Sequence, residues 1–441
     1  MDVLIKILQL ILALSILVLV HEFGHFIFAR IFKIRVEKFY LFFDAWFSLF
    51  KFKPKNSNTE YGIGWLPLGG YCKISGMIDE SMDKEAMKQE PKSWEYRSKP
   101  AWQRLLVIAG GVIFNFILAI LIYAGILYTW GEAYVKNADV TTGIYAGELA
   151  QEIGFRNGDR ILSIEGAVPE RFQDLQLELI RLQAKEVKVL RNGDTATVAI
   201  DPVYIPTILN TPGMFDYGIP YQVIEIPDTS VNLHSGLQQG DRILALNGQK
   251  AEMYQEVMEF LRQHKSDSIV ATIARGNEIV LVPMATDAGG NLQLLITISP
   301  ADFYTITRKS YSMLAAVPAG FNKAVTTVGN YLKELKLIFS PKTEAYKSVG
   351  SFISIGKIFP SSWDWLVFWN ITAFLSIMLA VLNILPIPAL DGGHIMFTLY
   401  EIITRRKPSD KFLEYAQMFG MILLLGLMVL AFGNDIFKLF N

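Results

Sequence analysis

Long apolar runs alternate with mixed stretches along this chain. Residues 3–32, 105–130, 366–385 and 412–432 are apolar over lengths suited to a membrane helix, which needs about 20 residues to cross roughly 30 Å of hydrocarbon. The first run is interrupted only by a cluster of His and Glu. Four membrane helices are expected. The first is read as a retained helix rather than a cleaved leader. No small-residue cleavage pattern follows residues 3–20; His21-Glu22-Phe23-Gly24-His25 follows instead, and then more apolar residues.

Between the second and third runs the pattern changes to short alternating stretches broken by Gly, Asn and Asp. An internal repeat lies here. Asn157-Gly158-Asp159-Arg160-Ile161-Leu162-Ser163-Ile164-Glu165-Gly166 matches Gln239-Gly240-Asp241-Arg242-Ile243-Leu244-Ala245-Leu246-Asn247-Gly248. Each copy reads as a Gly-Asp turn, an alternating strand and a second turn, then a helical stretch and β-rich sequence. Residues 191–194 (Arg-Asn-Gly-Asp) and 275–278 (Arg-Gly-Asn-Glu) read as hairpin turns. Two related globular domains follow, at 131–215 and 216–305, and the repeat resembles tandem PDZ domains. Residues 307–339 carry Lys309, Lys323, Lys333 and Lys336 among apolar positions. They read as a linking helix, either lying at a membrane surface or simply soluble. The expected domains are therefore 1–130, 131–215, 216–305, a linking region 306–362 and a C-terminal membrane domain 363–441.

Composition supports a lipid setting. Of 441 residues 51% are hydrophobic and 19% charged, more apolar than usual for a soluble chain. The net charge of −1 leaves no nucleic-acid footprint. The single cysteine, Cys72, rules out an intramolecular disulfide and a cysteine-based metal cluster. Its ordinary role is that of a small buried hydrophobe. Lys and Arg beside the spans set the orientation. Arg30, Lys33, Arg35, Lys38, Arg97, Lys99 and Arg104 lie between runs one and two, and Arg405, Arg406, Lys407 and Lys411 between runs three and four. Both loops are expected in the cytoplasm, and 131–305 and both termini outside it.

The chemistry sits in the first run. His21-Glu22-Phe23-Gly24-His25 is an H-E-x-x-H motif. On a helix, positions i and i+4 share a face, so both imidazoles can reach one ion, with Glu22 beside them as base. Zinc lowers the pKa of its water to about 7, which makes that proton removable. Ionisable groups inside a span cost at least about 2.5 kcal/mol each, so three in one turn imply a role. Two imidazoles leave a catalytic zinc short of a third protein ligand. Candidates near a span are Asp391, His394 and Glu401, since His234 and His264 belong to the repeats. Asp391 is favoured. Pro386 and Pro388 precede it and Gly392-Gly393 follow it, so the chain is unwound there. Unwound backbone at membrane depth survives only against protein or a wet cavity.

Together the apolar H-E-x-x-H and Asn383-Ile384-Leu385-Pro386-Ile387-Pro388-Ala389-Leu390-Asp391-Gly392-Gly393-His394 resemble the site-2 protease family of intramembrane zinc metalloproteases. The PDZ-like pair points to its bacterial regulator of sigma-E protease branch. The resemblance implies that His21, His25 and Asp391 hold Zn2+, that Glu22 is catalytic, and that Asn383, Pro386 and Pro388 orient an unwound substrate. It also implies that residues 62–74, with Gly69 and Gly70, form a membrane re-entrant β-hairpin able to pair with substrate. Gly110-Gly111-Val112-Ile113-Phe114-Asn115 resembles the second-span motif, in which small residues allow close helix contact and Asn115 supplies a hydrogen bond. The expected fold class is thus a polytopic α-helical membrane protein with two extracytoplasmic PDZ-like α+β domains and a membrane-associated β-hairpin. The expected substrates are single-span membrane proteins, such as anti-sigma factors or remnant signal peptides. The expected location is the bacterial inner membrane, and the expected state a monomer. A purely structural zinc site needs no base such as Glu22. A zinc transporter needs a second site along a path, and no second motif is present.

Overall fold

The computed structural model describes residues 2–67, 69–77, 90–338 and 350–440. Residues 339–349 of the expected linking region, and residue 68 of the expected hairpin, lie outside them. The described chain divides into two compact units. One comprises residues 2–131, 310–336 and 350–440, and the other residues 132–309 and 337–338.

In the first unit the helices are α1 (Asp2–Ile31), α2 (Ala101–Thr129), α3 (Met313–Ile338), α4 (Phe352–Ile358), α5 (Trp365–Ile384), α6 (Asp391–Thr404) and α7 (Asp410–Phe440). Four of them are long and apolar enough to cross a membrane: α1, α2, α5 and the Lys411–Ile436 part of α7. These are the four apolar runs of the sequence. Pro100 sits at the N-cap of α2, and the Asp364 side chain caps α5 by accepting from the Val367 N–H at 3.0 Å. At the other end α5 stops at Ile384, just before Pro386 and Pro388.

Small residues decide how these helices meet. A Cβ added to Gly24 of α1 would lie 2.2 Å from the Gly110 carbonyl oxygen of α2. One added to Gly110 would lie 2.5 Å from the Gly24 oxygen. Only glycine permits this backbone contact. Ser376 of α5 donates to the backbone oxygen of Asn115 at 2.8 Å, which pins the third span to the second. Helix α3 rests on α2 and α5: Gly320 meets Ala124, Phe321 meets Phe116, and Tyr331 meets Phe374. Leu314, Val317, Val325 and Leu332 remain exposed along it.

Four strands precede α2: β1 (Val36–Leu41), β2 (Phe43–Phe52), β3 (Glu60–Leu66) and β4 (Tyr71–Ile74). They form one sheet in the order β2-β3-β1-β4. This corrects the expected hairpin over residues 62–74. Its two strands do not pair with each other; β1 lies between them, parallel to β3 and antiparallel to β4. The reason is the segment 36–41, whose charges read as a juxtamembrane loop. It hydrogen-bonds to a strand on each side, so it is an interior strand of the sheet. Consequently β3 is enclosed and β4 is an edge.

The second unit contains the sequence repeat as two matching sheets. Arg160–Ile164, Glu186–Arg191 and Asp194–Ala199 form the first. Arg242–Leu246, Ser268–Arg275 and Glu278–Ala285 form the second, with Gln249–Lys250 added at one edge. Register shifts fall at equivalent positions, between Ile161 and Ser163 and between Ile243 and Ala245. Both hairpin turns form where the sequence places them: Arg191 pairs with Asp194 and Arg275 with Glu278. Asn192 and Gly193 have φ of 53° and 92°, as a type I′ turn requires. The aspartate of each Gly-Asp turn is buried against an arginine of the same sheet. Arg191 reaches Asp159 and Arg275 reaches Asp241, each at 2.7 Å. Residues 307–309, the start of the expected linking helix, are not helical; Ile306–Lys309 is a strand paired with Glu132–Val135. The strand Phe215–Tyr217 straddles the expected domain boundary and pairs with Ile144–Ala146.

Candidate metal centre

Helical spacing and the break after α5 bring three donors together. His21 and His25, one turn apart on α1, meet Asp391, the first residue of α6. His21 Nε2 and His25 Nε2 lie 3.2 and 3.5 Å from Asp391 Oδ2, and 3.3 Å from each other. Ligands at about 2.0–2.1 Å in tetrahedral array sit about 3.3 Å apart, so the three atoms are spaced as one face of such a tetrahedron. Asp391 Oδ2 is buried with no hydrogen-bond partner. A buried carboxylate oxygen in that condition needs a cation. Histidines and a carboxylate suit a borderline divalent ion, so the residues present fit zinc.

The groups behind the imidazoles orient them. His25 Nδ1 lies 2.9 Å from the Val107 carbonyl oxygen of α2. A carbonyl only accepts, so Nδ1 carries the proton and Nε2 presents its lone pair to the centre. His21 Nδ1 lies 3.1 Å from the side-chain amide of Asn115, which is completely buried and whose Oδ1 is otherwise unpartnered. Turning that amide lets Oδ1 accept from Nδ1–H and leaves His21 Nε2 likewise free. Asn115 thus reaches the imidazole from behind rather than the cavity. The glycine pair beside it is equally constrained. A Cβ on Gly111 would lie 2.5 Å from His21 Cε1 and 2.6 Å from His25 Nε2. Gly111→Ala is therefore expected to displace both rings and to lower zinc stoichiometry in purified protein, whereas Gly125→Ala, which meets no neighbour, leaves it unchanged.

The donors open onto a cavity of about 580 Å³. Glu22 lines it, with the Cys72 backbone N–H of β4 in hydrogen-bond reach of its carboxylate. Asn383 lines it too, its amide nitrogen 3.3 Å from His21 Nε2, and so does Gly70. Gly69, Pro386 and Pro388 do not contribute to the lining. Gly69 adopts φ 153° beside Phe43, and Pro388 is packed against Gly393 and Gly420. Of the other candidate ligands, Glu401 is held by Arg104 at 2.5 Å. His394 lines the cavity but stands outside the donor group. The sequence reading passed over Lys38, Asp44, Tyr71 and Gln417, all on the cavity wall. Their only sequence signal is that they are polar residues in or beside apolar stretches.

The model of Peptidase family M50 matches residues 9–427, a span that includes the H-E-x-x-H helix and the Asp391 segment. The chain belongs to peptidase family M50. Similar proteins cover it end to end. A Clostridium perfringens protein whose name assigns it to the zinc metalloproteases is 30% identical over 96% of each chain. Protease RseP of Yersinia pestis is 27% identical over 100% of each chain. The regulator of sigma-E protease RseP of Escherichia coli is 27% identical over 97% of this chain and 98% of its own. Of the M50 match, the part that carries the donor set is α1, the start of α6 and the α2 face that supports both imidazoles.

Proposed function

We propose that this M50 peptidase is a zinc metalloprotease that hydrolyses peptide bonds within membrane spans. The single observation that carries this reading is the convergence of His21, His25 and Asp391 inside a bundle of span-length helices, beside a carboxylate and a cavity. Zinc held by these three residues supplies Lewis-acid polarisation of the scissile carbonyl and an acidified water. Glu22 takes the proton from the attacking water and returns it to the leaving amine. Val107 and Asn115 keep the imidazoles turned, and Asn383 offers its amide to an unwound backbone. Among the described residues β4 is an outer strand of its sheet, and Tyr71 to Ile74 line the cavity. It suits addition of the substrate as an extended strand, which a helical span must become before attack.

The substrates of this reading are single-span membrane proteins, such as anti-sigma factors or remnant signal peptides. The setting is a bacterial inner membrane, with the catalytic end of the bundle toward the cytoplasm, a reading supported by Arg30, Lys33 and Arg405–Lys407 beside the spans. The 132–309 unit is then an extracytoplasmic pair of PDZ-like domains, at 131–215 and 216–305, which filter or recruit substrates. The protein acts as a monomer. The test is cleavage of a membrane-span substrate in proteoliposomes. Activity should vanish on chelation and return with stoichiometric zinc; cleavage that persists in chelator with the zinc demonstrably removed would overturn the reading.

A further inference from the structure

The wall of the same cavity carries a charged cluster that the hydrolytic chemistry does not use. Lys38 of β1 lies 3.6 Å from the carboxylate of Asp44 in β2 and 3.4 Å from the Tyr71 hydroxyl of β4. Tyr71 donates to Asp44 at 2.9 Å, and Ser48 to its other oxygen at 3.4 Å. Three aromatic rings frame the cluster. Tyr40 stacks on Tyr71 at 5.3 Å, Phe43 stacks on Tyr71 at 6.2 Å, and the Lys38 ammonium sits 5.3 Å from the Tyr40 ring centre. Burial, and after it the Asp44 carboxylate, push the Tyr71 phenol up, so it stays a donor.

Lys38, Asp44 and Tyr71 all line the same cavity as Glu22. A structural staple would be closed off, yet the Lys38 side chain is 40% exposed. The carboxylate has about four acceptor positions and the ammonium three donors, so the contacts above leave capacity on both. Charged groups within an apolar site are costly unless used. The pair is electrically compensated, so it suits a neutral hydrogen-bonding side chain; a charged one would meet a counter-charge that is already paired. Its place relative to the scissile bond follows from β4. Tyr71 belongs to the cluster, and the next residue, Cys72, bonds Glu22 through its backbone. Successive strand residues rise about 3.3 Å, so the cluster faces a substrate residue within one or two positions of the cut.

We infer that Lys38 and Asp44, held by Tyr71, form a specificity subsite that selects a neutral hydrogen-bonding side chain, such as Ser or Asn, beside the scissile bond of an otherwise apolar span. This rests on the proteolytic reading above. The test uses full-length protein in proteoliposomes and one membrane-span substrate, with Leu, Gly, Ser, Asn, Lys or Asp placed in turn at each position flanking the cut. The wild type should favour Ser and Asn over Leu and Gly by about tenfold in kcat/KM at one position, with no gain for Lys or Asp. Glycine separates this effect from mere loosening of the substrate helix. In the double variant Lys38→Met/Asp44→Leu the Ser-to-Leu ratio should fall to about one. A wild type that cuts Ser and Gly substrates alike at every position overturns the inference and leaves the protease reading intact. So does a double variant whose rates fall but whose ratio is unchanged, since that is the behaviour of a staple. A wild type that cuts no member of the series, with zinc bound, sinks both.

Discussion

Asp391→Ala is expected to yield a protein that inserts normally, binds zinc at least about 100-fold more weakly and cleaves no substrate. The magnitude follows from comparison. Removing a group that merely orients a ligand costs about 10–100-fold in metal affinity, and Asp391 contributes the ligand oxygen itself. Its Oδ2 lies within 3.5 Å of both imidazole nitrogens and has no hydrogen-bond partner. Two imidazoles from one helix turn remain, which is one ligand short of a catalytic site. Competition with a chelating dye measures the affinity. Near-stoichiometric, tightly held zinc in Asp391→Ala would show that the metal is bound elsewhere.

Glu22→Gln separates the metal from the proton. The amide occupies the same volume and cannot accept a proton as a base. Zinc content and affinity should stay near wild type while kcat falls by about 10³- to 10⁴-fold, the upper range for general-base catalysis. KM should change little, because Glu22 contacts the reacting water rather than the side chains of the substrate. Single-turnover cleavage with inductively coupled plasma analysis of the same sample reads both quantities. Glu22→Gln turning over at the wild-type rate would transfer the base role to another carboxylate. Zinc loss in step with activity would make Glu22 a ligand.

Much of this centre was legible in the sequence because its determinants are local. Hydropathy alone placed all four span-length helices, since a run of apolar residues need not know its neighbours to be recognised. The i, i+4 spacing of His21 and His25 fixed their common face, and the Pro386–Pro388 break fixed where the chain had to unwind before Asp391. What escaped was non-local. The segment 36–41 looked like a charged loop because its strand character depends on β3 and β4, which arrive later in the chain. Lys38 and Asp44 lie only six positions apart, yet their place on the cavity wall comes from the folding of three strands. Pro386 and Pro388 were expected to touch substrate. In the structure they follow the end of α5, and the backbone of Pro388 packs against Gly420.

That last contact has a consequence for biogenesis. A Cβ on Gly420 would lie 1.5 Å from the Pro388 carbonyl oxygen, so the final helix is seated directly on the loop that delivers the aspartate. The donor set draws on α1 and the loop before residue 391, and that loop packs against α7. A chain still emerging from the ribosome, with its first spans already in lipid, therefore has no assembled catalytic apparatus. Neighbouring spans that are inserting at the same time are safe from it until α7 has been made.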